Sequence, residues 1–312
     1  MELGQLRALR EVEARGSIAA AAQALRVTPS SVSQQLSALA RRAGTALTYR
    51  HGRRTALTPA GLALARAAAE VEVAMARAET AVQRFTDDAG APVSVAAFHS
   101  AGLALFRRLE QAVAEGGGPR LAFSDEDVAQ QGFAALTADY DVVVAHRLAG
   151  SPAWPETVRA TALAFEPLDV AVGAGHRLAR RKSLVPADLR GEQWISVHRG
   201  FPLEGAIELI GTLAGEDAAI AHRINEFFVA ASVVERGACV SLMPRYTVSR
   251  SCFPQLVLVP LRAPALGRHI DILARPEAME RAGVQHVIRA LHGAMAALVN
   301  RPGGGRPPAP IR

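Results

Sequence analysis

The chain has 312 residues, half of them apolar and about a fifth charged, with a formal net charge of +6. That length supports two or three domains with sizeable cores, and the composition is that of a globular protein, not of a disordered or fibrous one. No run of about 18 uncharged apolar residues occurs, and the opening MELGQLRALREVEAR lacks the apolar core of a signal peptide, so neither a membrane span nor export is expected and a cytoplasmic location is.

The positive charge is unevenly placed. Residues 1–86 hold twelve arginines and six carboxylates, whereas the remainder holds 23 basic and 23 acidic side chains. The excess at the N-terminal end is the electrostatic footprint of polyanion binding. Lys182 is the only lysine; a GC-rich genome would favour arginine over lysine, but would not decide where the charge lies. The two cysteines, Cys239 and Cys252, suit a reducing compartment and have no metal-ligand spacing.

Leu3, Leu6, Leu9 and Val12 step at three and predict a first helix over 2–15. Ser17 is a candidate N-cap for a small, alanine-rich helix from Ile18 to Ala24. After the break at 25–27, Thr28 can cap another helix, and Pro29 fits its first position, where no donor is needed. Val32, Leu36 and Leu39 then fall on one face. Ser30, Ser31, Ser33, Gln34 and Gln35 fall on the other, with many hydrogen-bonding groups and no charge. Such a face can donate to phosphates and read base edges. The stretch reads as a helix-turn-helix with its recognition helix second; in isolation it also reads as a solvated amphipathic hairpin.

Arg41 and Arg42 close the recognition helix and Gly44 ends it. Residues 47–49 and 55–57 predict two short strands around a turn at 51–54, with Arg50, Arg53 and Arg54 at the tip. A basic wing on DNA is the reading favoured by its position; a solvated basic turn is the other. Thr58 and Pro59 restart a helix that runs to about Phe85. Along it Leu64, Ala68, Val71, Met75, Ala78, Val82 and Phe85 keep a heptad seam. A helix of roughly 40 Å at 1.5 Å per residue outruns the small N-terminal domain, so a second copy of itself is the expected partner. The later part of the same chain is the alternative.

These residues resemble the DNA-binding domain of LysR-type transcriptional regulators. The resemblance rests on the opening Leu3/Leu6/Leu9 helix, Gly16 and Ser17 with Ala21, Ala22 and Leu25, and Val27 and Thr28 through Ser33, Gln35 and Leu36. Gly44, Leu47 and Arg50, then Leu57, Thr58, Ala60 and Gly61 complete it. The chain departs from the family pattern at Pro29-Ser30, where Gln-Pro is common, at Gln34, where Arg is common, and at Thr48, where Phe is common. The first two bear on which operator is read, the third on how the wing is anchored. The resemblance implies double-stranded promoter DNA as partner, contacted through Ser17, Thr28, Pro29, Ser30, Ser31, Ser33, Gln34, Gln35, Arg50, Arg53 and Arg54, and assembly as a homodimer or homotetramer. It also implies that paired dimers bend the promoter and that an effector shifts their relative orientation.

Residues 87–92 predict a hinge. Beyond it, strands at 93–97, 121–123 and 141–145 alternate with helices at 103–114 and 128–138. The pattern resumes with an extended run at 163–172, a short helix opened by Pro186, a strand at 194–197 and a helix at 203–213. A strand at 219–225, a helix at 229–236, strands at 240–243, 256–259 and 269–273, and a last helix at 283–299 follow. Continuous apolar strands alternating with helices predict a mainly parallel sheet covered on both faces. The order resembles the effector half of the same family, on Asp141 to Val144, Glu166-Pro167-Leu168, His176 to Ala179, Asp188-Leu189, and Val233 to Gly237 through Leu242 to Pro244, with Cys239 where glycine is common. The implied fold is α/β overall. An all-α winged helix-turn-helix at 1–58 and a dimerisation helix at 59–87 precede a two-lobed, periplasmic-binding-protein-like effector domain at 88–301. Lobe I is expected at about 93–162 and 266–300, lobe II at about 163–265, with crossovers in 158–172 and 256–273. A Gly/Pro-rich tail, 302–312, is expected to be disordered.

In open α/β sheets ligands lie beyond the carboxyl ends of strands. That rule selects His99, Ser100, His146 and Arg147 in lobe I, and Ser196, His198, Arg199, Phe227 and Phe228 in lobe II. Each singly also fits an ordinary surface or core residue. A small anion or polar metabolite held by Ser100 and Arg199 is the expected effector arrangement. No cofactor is expected. HExxH, a Gly-rich phosphate loop and GxSxG are absent from the sequence, so an enzyme would need a hidden constellation. A transported-solute receptor would need a signal peptide and would not need residues 1–86.

Overall fold

The computed structural model describes residues 1–52, 54–83, 92–126, 128–199, 201–248 and 252–300. Arg53, Phe85, the expected hinge before Pro92 and the tail from 302 lie outside the described residues. Three helices open the chain: α1 (Leu3–Arg15), α2 (Ile18–Ala24) and α3 (Pro29–Ala43). Ser17 caps α2 by accepting from the Ala20 amide, and Thr28 caps α3 by accepting from the Ser31 amide. Arg26, in the turn between them, has φ +54°, a left-handed conformation. The core beneath is Leu6, Leu9 and Val12 of α1, Ala21 and Ala22 of α2, and Val32, Leu36 and Leu39 of α3. Alanine on α2 allows the close crossing.

Strands β1 (Thr48–His51) and β2 (Arg54–Leu57) form the antiparallel wing and run further into the turn than expected, with His51 paired to Arg54. Thr58 then starts α4 (Pro59–Gln83): its hydroxyl accepts from the Gly61 amide at 3.1 Å and donates to the Ala46 carbonyl at 2.7 Å. Ala65 and Ala68 of α4 enter the N-terminal core. Further along, Val71, Met75 and Val82 are 44%, 42% and 65% exposed. The seam is thus spent on the chain's own core at its start and left open beyond it.

The remainder runs β3 (Val93–Ala97), α5 (His99–Glu115), β4 (Leu121–Asp125), α6 (Phe133–Leu136), β5 (Val142–Leu148), β6 (Arg159–Gly173), β7 (Gln193–Ser196), α7 (Pro202–Ala214), β8 (Ala219–Arg223), α8 (Phe227–Val234), β9 (Cys239–Pro244), β10 (Leu256–Val259), β11 (Gly267–Ala274) and α9 (Ala282–Val299). The strand order is β4-β3-β5-β11-β6-β9-β7-β8, with β10 on β6. Two parallel trios, β4-β3-β5 and β9-β7-β8, are joined by β11 and β6, which run antiparallel to each other and to their neighbours. The expectation of a mainly parallel sheet is corrected: each lobe has a parallel trio, and the 15-residue β6 and returning β11 carry the chain between them in the opposite sense. The crossover expected over 256–273 divides in two: β10 pairs with β6 at Val170 to Gly173, and β11 makes the return. The helix expected over 128–138 reduces to a 3-10 turn, Gln130–Gly132, followed by the single turn α6; Gly132 falls mid-run and weakens it. Helix α5 starts a turn earlier than expected, at His99. Lobe I packs α5 and α9 on its sheet through Leu105, Leu109, Val287 and Leu291. In lobe II Trp194, Ile207, Ile210 and Leu242 form the centre.

Candidate DNA-binding surface and inter-lobe site

On α3 the polar residues lie on the outer face. Ser30 and Gln34 are exposed, and Ser31, Ser33 and Gln35 are half-buried. The Thr28 and Ser30 hydroxyls lie 2.9 Å apart, and Gln35 reaches Ser31 at 3.5 Å. Pro29 is exposed at the first turn and Ser17 is half-buried at the start of α2. Arg50 and Arg54 are exposed on the wing. The wing is fixed to the helices by the Thr55 amide, which donates to the Gly16 carbonyl at 2.9 Å.

The arginines of this half fall into two sets. Among the described residues, Arg26, Arg41, Arg42, Arg50 and Arg54 are exposed and have no ion-pair partner. Arg7, Arg10, Arg15, Arg66 and Arg77 each pair with a carboxylate. The neutralised set is on α1 and α4. The free set borders the recognition helix and wing, where uncompensated guanidinium groups attract a polyanion.

Where β6 and β11 lie side by side, Glu166 and Arg268 are direct cross-strand partners. Both are buried, Glu166 at 0% and Arg268 at 3% exposure. One Glu166 oxygen accepts from the Tyr246 and Thr247 amides at 2.7 and 2.6 Å. The other accepts from the Thr247 hydroxyl at 3.1 Å and from Arg268 Nε at 3.0 Å. Arg268 Nη2 also donates to Ser100 at 3.0 Å and Thr247 at 2.8 Å. The guanidinium lies 4.7 Å from the Phe98 ring centre and 5.7 Å from that of Phe227. Phe98 precedes α5 in lobe I and Phe227 opens α8 in lobe II, so one side chain on a crossover strand touches both lobes. A guanidinium between rings is favourable electrostatically as well as sterically.

This arrangement relocates the expected effector residues. Ser100 is buried, and the guanidinium on it belongs to Arg268; Arg199 is exposed after β7. The arginine that binds Ser100 comes from a strand 168 residues away, a pairing that chain order does not reveal. His146 is half-buried, edge-on against Phe98 and Phe133 with ring centres 4.7 and 5.3 Å away, and its buried Nδ1 has no partner among the described residues. Burial, and secondarily the Arg268 charge, push its pKa down to about 3. His99 is at the rim, 2.6 Å from Asp125. Ser196 is buried with its hydroxyl unpartnered among the described residues. His198 is exposed, its amide bonded to Asn225 at 2.8 Å. Phe228 stacks on Phe253 within lobe II, whereas its neighbour Phe227 faces Arg268. Arg147 pairs with Asp271 at 2.9 Å. Sequence reasoning missed Phe98, Glu166, Thr247 and Arg268 as members of this site. A signal existed: on β11, Arg268 shares the face of Ile270 and Ile272, both buried, so a charge stands at the head of an apolar stripe.

A winged helix-turn-helix, a long helix and a two-lobed α/β domain with a polar junction define a DNA-binding regulator with a ligand-type domain. The chain belongs to the LysR family of bacterial regulators. Residues 3–62 match the bacterial regulatory helix-turn-helix model of the lysR family, and residues 87–296 match the LysR substrate binding domain. It is thus a LysR-type transcriptional regulator. No curated protein sequence matches it significantly. In fold it is similar to a full-length OxyR variant from Pseudomonas aeruginosa (TM-score 0.67, 18% identity, covering 95% of this chain and 94% of that one). It is also similar to HinK, a LysR family regulator from Pseudomonas aeruginosa (TM-score 0.54, 18% identity, 94% and 98% covered). A third is CbnR, another LysR family regulator (TM-score 0.51, 22% identity, 93% and 100% covered).

Proposed function

We propose that this regulator reads promoter DNA with the outer face of α3, using Thr28, Pro29, Ser30, Ser31, Ser33, Gln34 and Gln35. Ser17, Arg50, Arg53 and Arg54 hold the flanking backbone. The observation that carries this reading is the division of the arginines: among the described residues, those beside α3 and the wing are unpaired, and those on α1 and α4 are neutralised. Val71, Met75 and Val82 on α4 are the surface on which a second copy pairs, which presents two recognition helices to two half-sites. The domains are 1–58, 59–87 and 88–301, lobe II spanning about 163–265. A small polar metabolite binds at the junction of the lobes, where Ser100, Thr247 and Arg268 meet Phe98 and Phe227, with His99, His146, Ser196 and His198 around it. The protein acts in the cytoplasm and catalyses no reaction. Gel-shift on the DNA upstream of its own reading frame tests the reading. Binding should weaken steeply with salt, and Ser30→Ala with Gln34→Ala should lose preference for that fragment over random DNA. Equal affinity for both, unaltered by the substitutions, would contradict it.

A further inference from the structure

Most of the ion pairs on α1 and α4 cross to lobe I, and those of Arg10, Glu11 and Arg77 converge on the segment that follows β11. Arg10 bridges Glu72 of α4 and Glu277, the latter at 2.9 Å. Arg275 donates to Glu11 at 2.7 Å, and Glu11 also accepts from Arg15 at 2.8 Å. Arg15 reaches the Ala138 carbonyl at 2.8 Å and Asp139 at 2.9 Å. Arg77 pairs with Glu280 at 2.9 Å, and the Thr80 hydroxyl donates to the Glu280 carbonyl at 3.1 Å. Arg10, Glu11 and Glu72 are all buried. Burial raises the Glu11 pKa, but Arg275 and Arg15 outweigh it and hold the carboxyl below its ordinary value. A cavity of about 340 Å³ lies at this interface, bordered by Arg7, Glu72, Tyr140 and Arg281. An interface made of charges around a space large enough for several waters can separate and re-form, unlike an apolar core.

The strand leading into this segment also carries Arg268. From Arg268 to Arg275 is seven residues, about 23 Å at roughly 3.3 Å each. Over most of that span β11 is paired on both edges, to β5 from Arg268 to Leu273 and to β6 from Gly267 to Ala274, with one register shift against β6 at Ile270/Asp271. A strand held on both edges moves as a unit instead of buckling. We propose that these ion pairs are a latch holding the DNA-binding domain on lobe I, and that β11 joins it to the inter-lobe junction, so that disturbing the Arg268 sandwich loosens the latch. The junction's role as effector site rests on the function proposed above; the latch and its link to Arg268 do not.

The test uses the full-length protein without DNA or effector, so its failure leaves the DNA-binding reading standing. Spin labels are placed by non-cysteine chemistry, since Cys239 and Cys252 are free, at exposed Gln34 on α3 and Arg289 on α9. Labelled protomers are diluted with unlabelled ones. A single narrow distance is expected at low salt, broadened in 1 M salt. Arg10→Gln with Glu11→Gln should broaden it at any salt. Arg268→Gln should broaden it in the latched protein and add nothing in the Arg10/Glu11 variant. Phe227→Leu leaves the Glu166–Arg268 pair in place and should act in the same direction, which keeps the test decisive if Arg268→Gln folds poorly. A broad distance in the unaltered protein, or a narrow one in the Arg10/Glu11 variant, overturns the latch. Junction variants that leave the distance unchanged, or that broaden it equally with the latch removed, overturn the link through β11.

Discussion

Replacing Arg268 by methionine should destabilise the two-lobed half strongly, and the structure sets the size. Methionine fills much of the same space but leaves the Glu166 carboxylate at 0% exposure without its cationic partner. Removing one partner of a buried ion pair costs about 3–5 kcal/mol. Glu166 keeps the Tyr246 and Thr247 amides and the Thr247 hydroxyl, which argues for the lower end. The lost guanidinium contacts with Phe98 and Phe227 add about 0.5–2 kcal/mol, so about 4 kcal/mol in all is expected. In the double variant Glu166→Gln/Arg268→Met the buried ion pair is gone from the junction, and the glutamine carbonyl can still accept from both amides. It should lie within about 1–2 kcal/mol of the unaltered protein. The assay is urea unfolding followed by tryptophan fluorescence, because Trp154 and Trp194, the only two tryptophans, are both in this half. A cost of less than about 1 kcal/mol for Arg268→Met, or a double variant no more stable than the single one, would refute this buried-pair reasoning.

Gly61 leaves no room for a side chain: a Cβ there would lie 2.0 Å from the Leu47 carbonyl oxygen. Gly61→Ala should cost about 1–3 kcal/mol of N-terminal domain stability and weaken DNA binding, read by calorimetry and gel-shift. Arg26 has φ +54°, a conformation that asparagine tolerates better, so Arg26→Asn should raise thermal stability by up to about 1 kcal/mol. It should also lower the salt slope of DNA binding by about one phosphate contact. His146 titrates near 3 when folded and near 6.5 when unfolded. The unfolded chain therefore takes up the proton first, and stability is lost as pH falls from about 6.5 toward 3, by up to about 3 kcal/mol at pH 4. His146→Phe should remove that part of the acid sensitivity; identical pH profiles would count against the burial argument. Val71→Asp with Met75→Glu places charge on exposed apolar positions of α4. It should shift the protein toward monomer in sedimentation and weaken DNA binding; an unchanged mass would place the pairing surface elsewhere.

Most of the fold was legible because its elements announce themselves locally. The strands of both lobes are continuous apolar runs, and caps such as Thr28-Pro29 and Thr58-Pro59 mark the helix starts. The polar face of α3 was legible for the same reason, since Val32, Leu36 and Leu39 leave only one other face. What escaped depends on contacts distant in the chain. A charge in a sequence reads as a surface residue, yet Glu166 and Arg268 are buried because they meet across β6 and β11. Arg10 and Glu11 of α1 are buried because their partners Glu277 and Arg275 lie more than 260 residues on. Ser100 and Arg199 follow strands and are selected by strand-end geometry, while Arg268 lies within a strand, where that rule does not look. The 128–138 segment was overread because its alanines favour helix more than Gly132 opposes it.

In the proposed function the face of α3, flanked by exposed arginines and presented twice by a paired α4, recognises particular duplex sequences. Its most direct test is to let the purified full-length protein select fragments of its own genome at moderate salt and to sequence what is retained. A few recurrent sites are expected, with two related half-sites about one helical turn or a multiple apart, lost in Ser30→Ala with Gln34→Ala. Retention of fragments without any shared sequence, or of none at all, would contradict it.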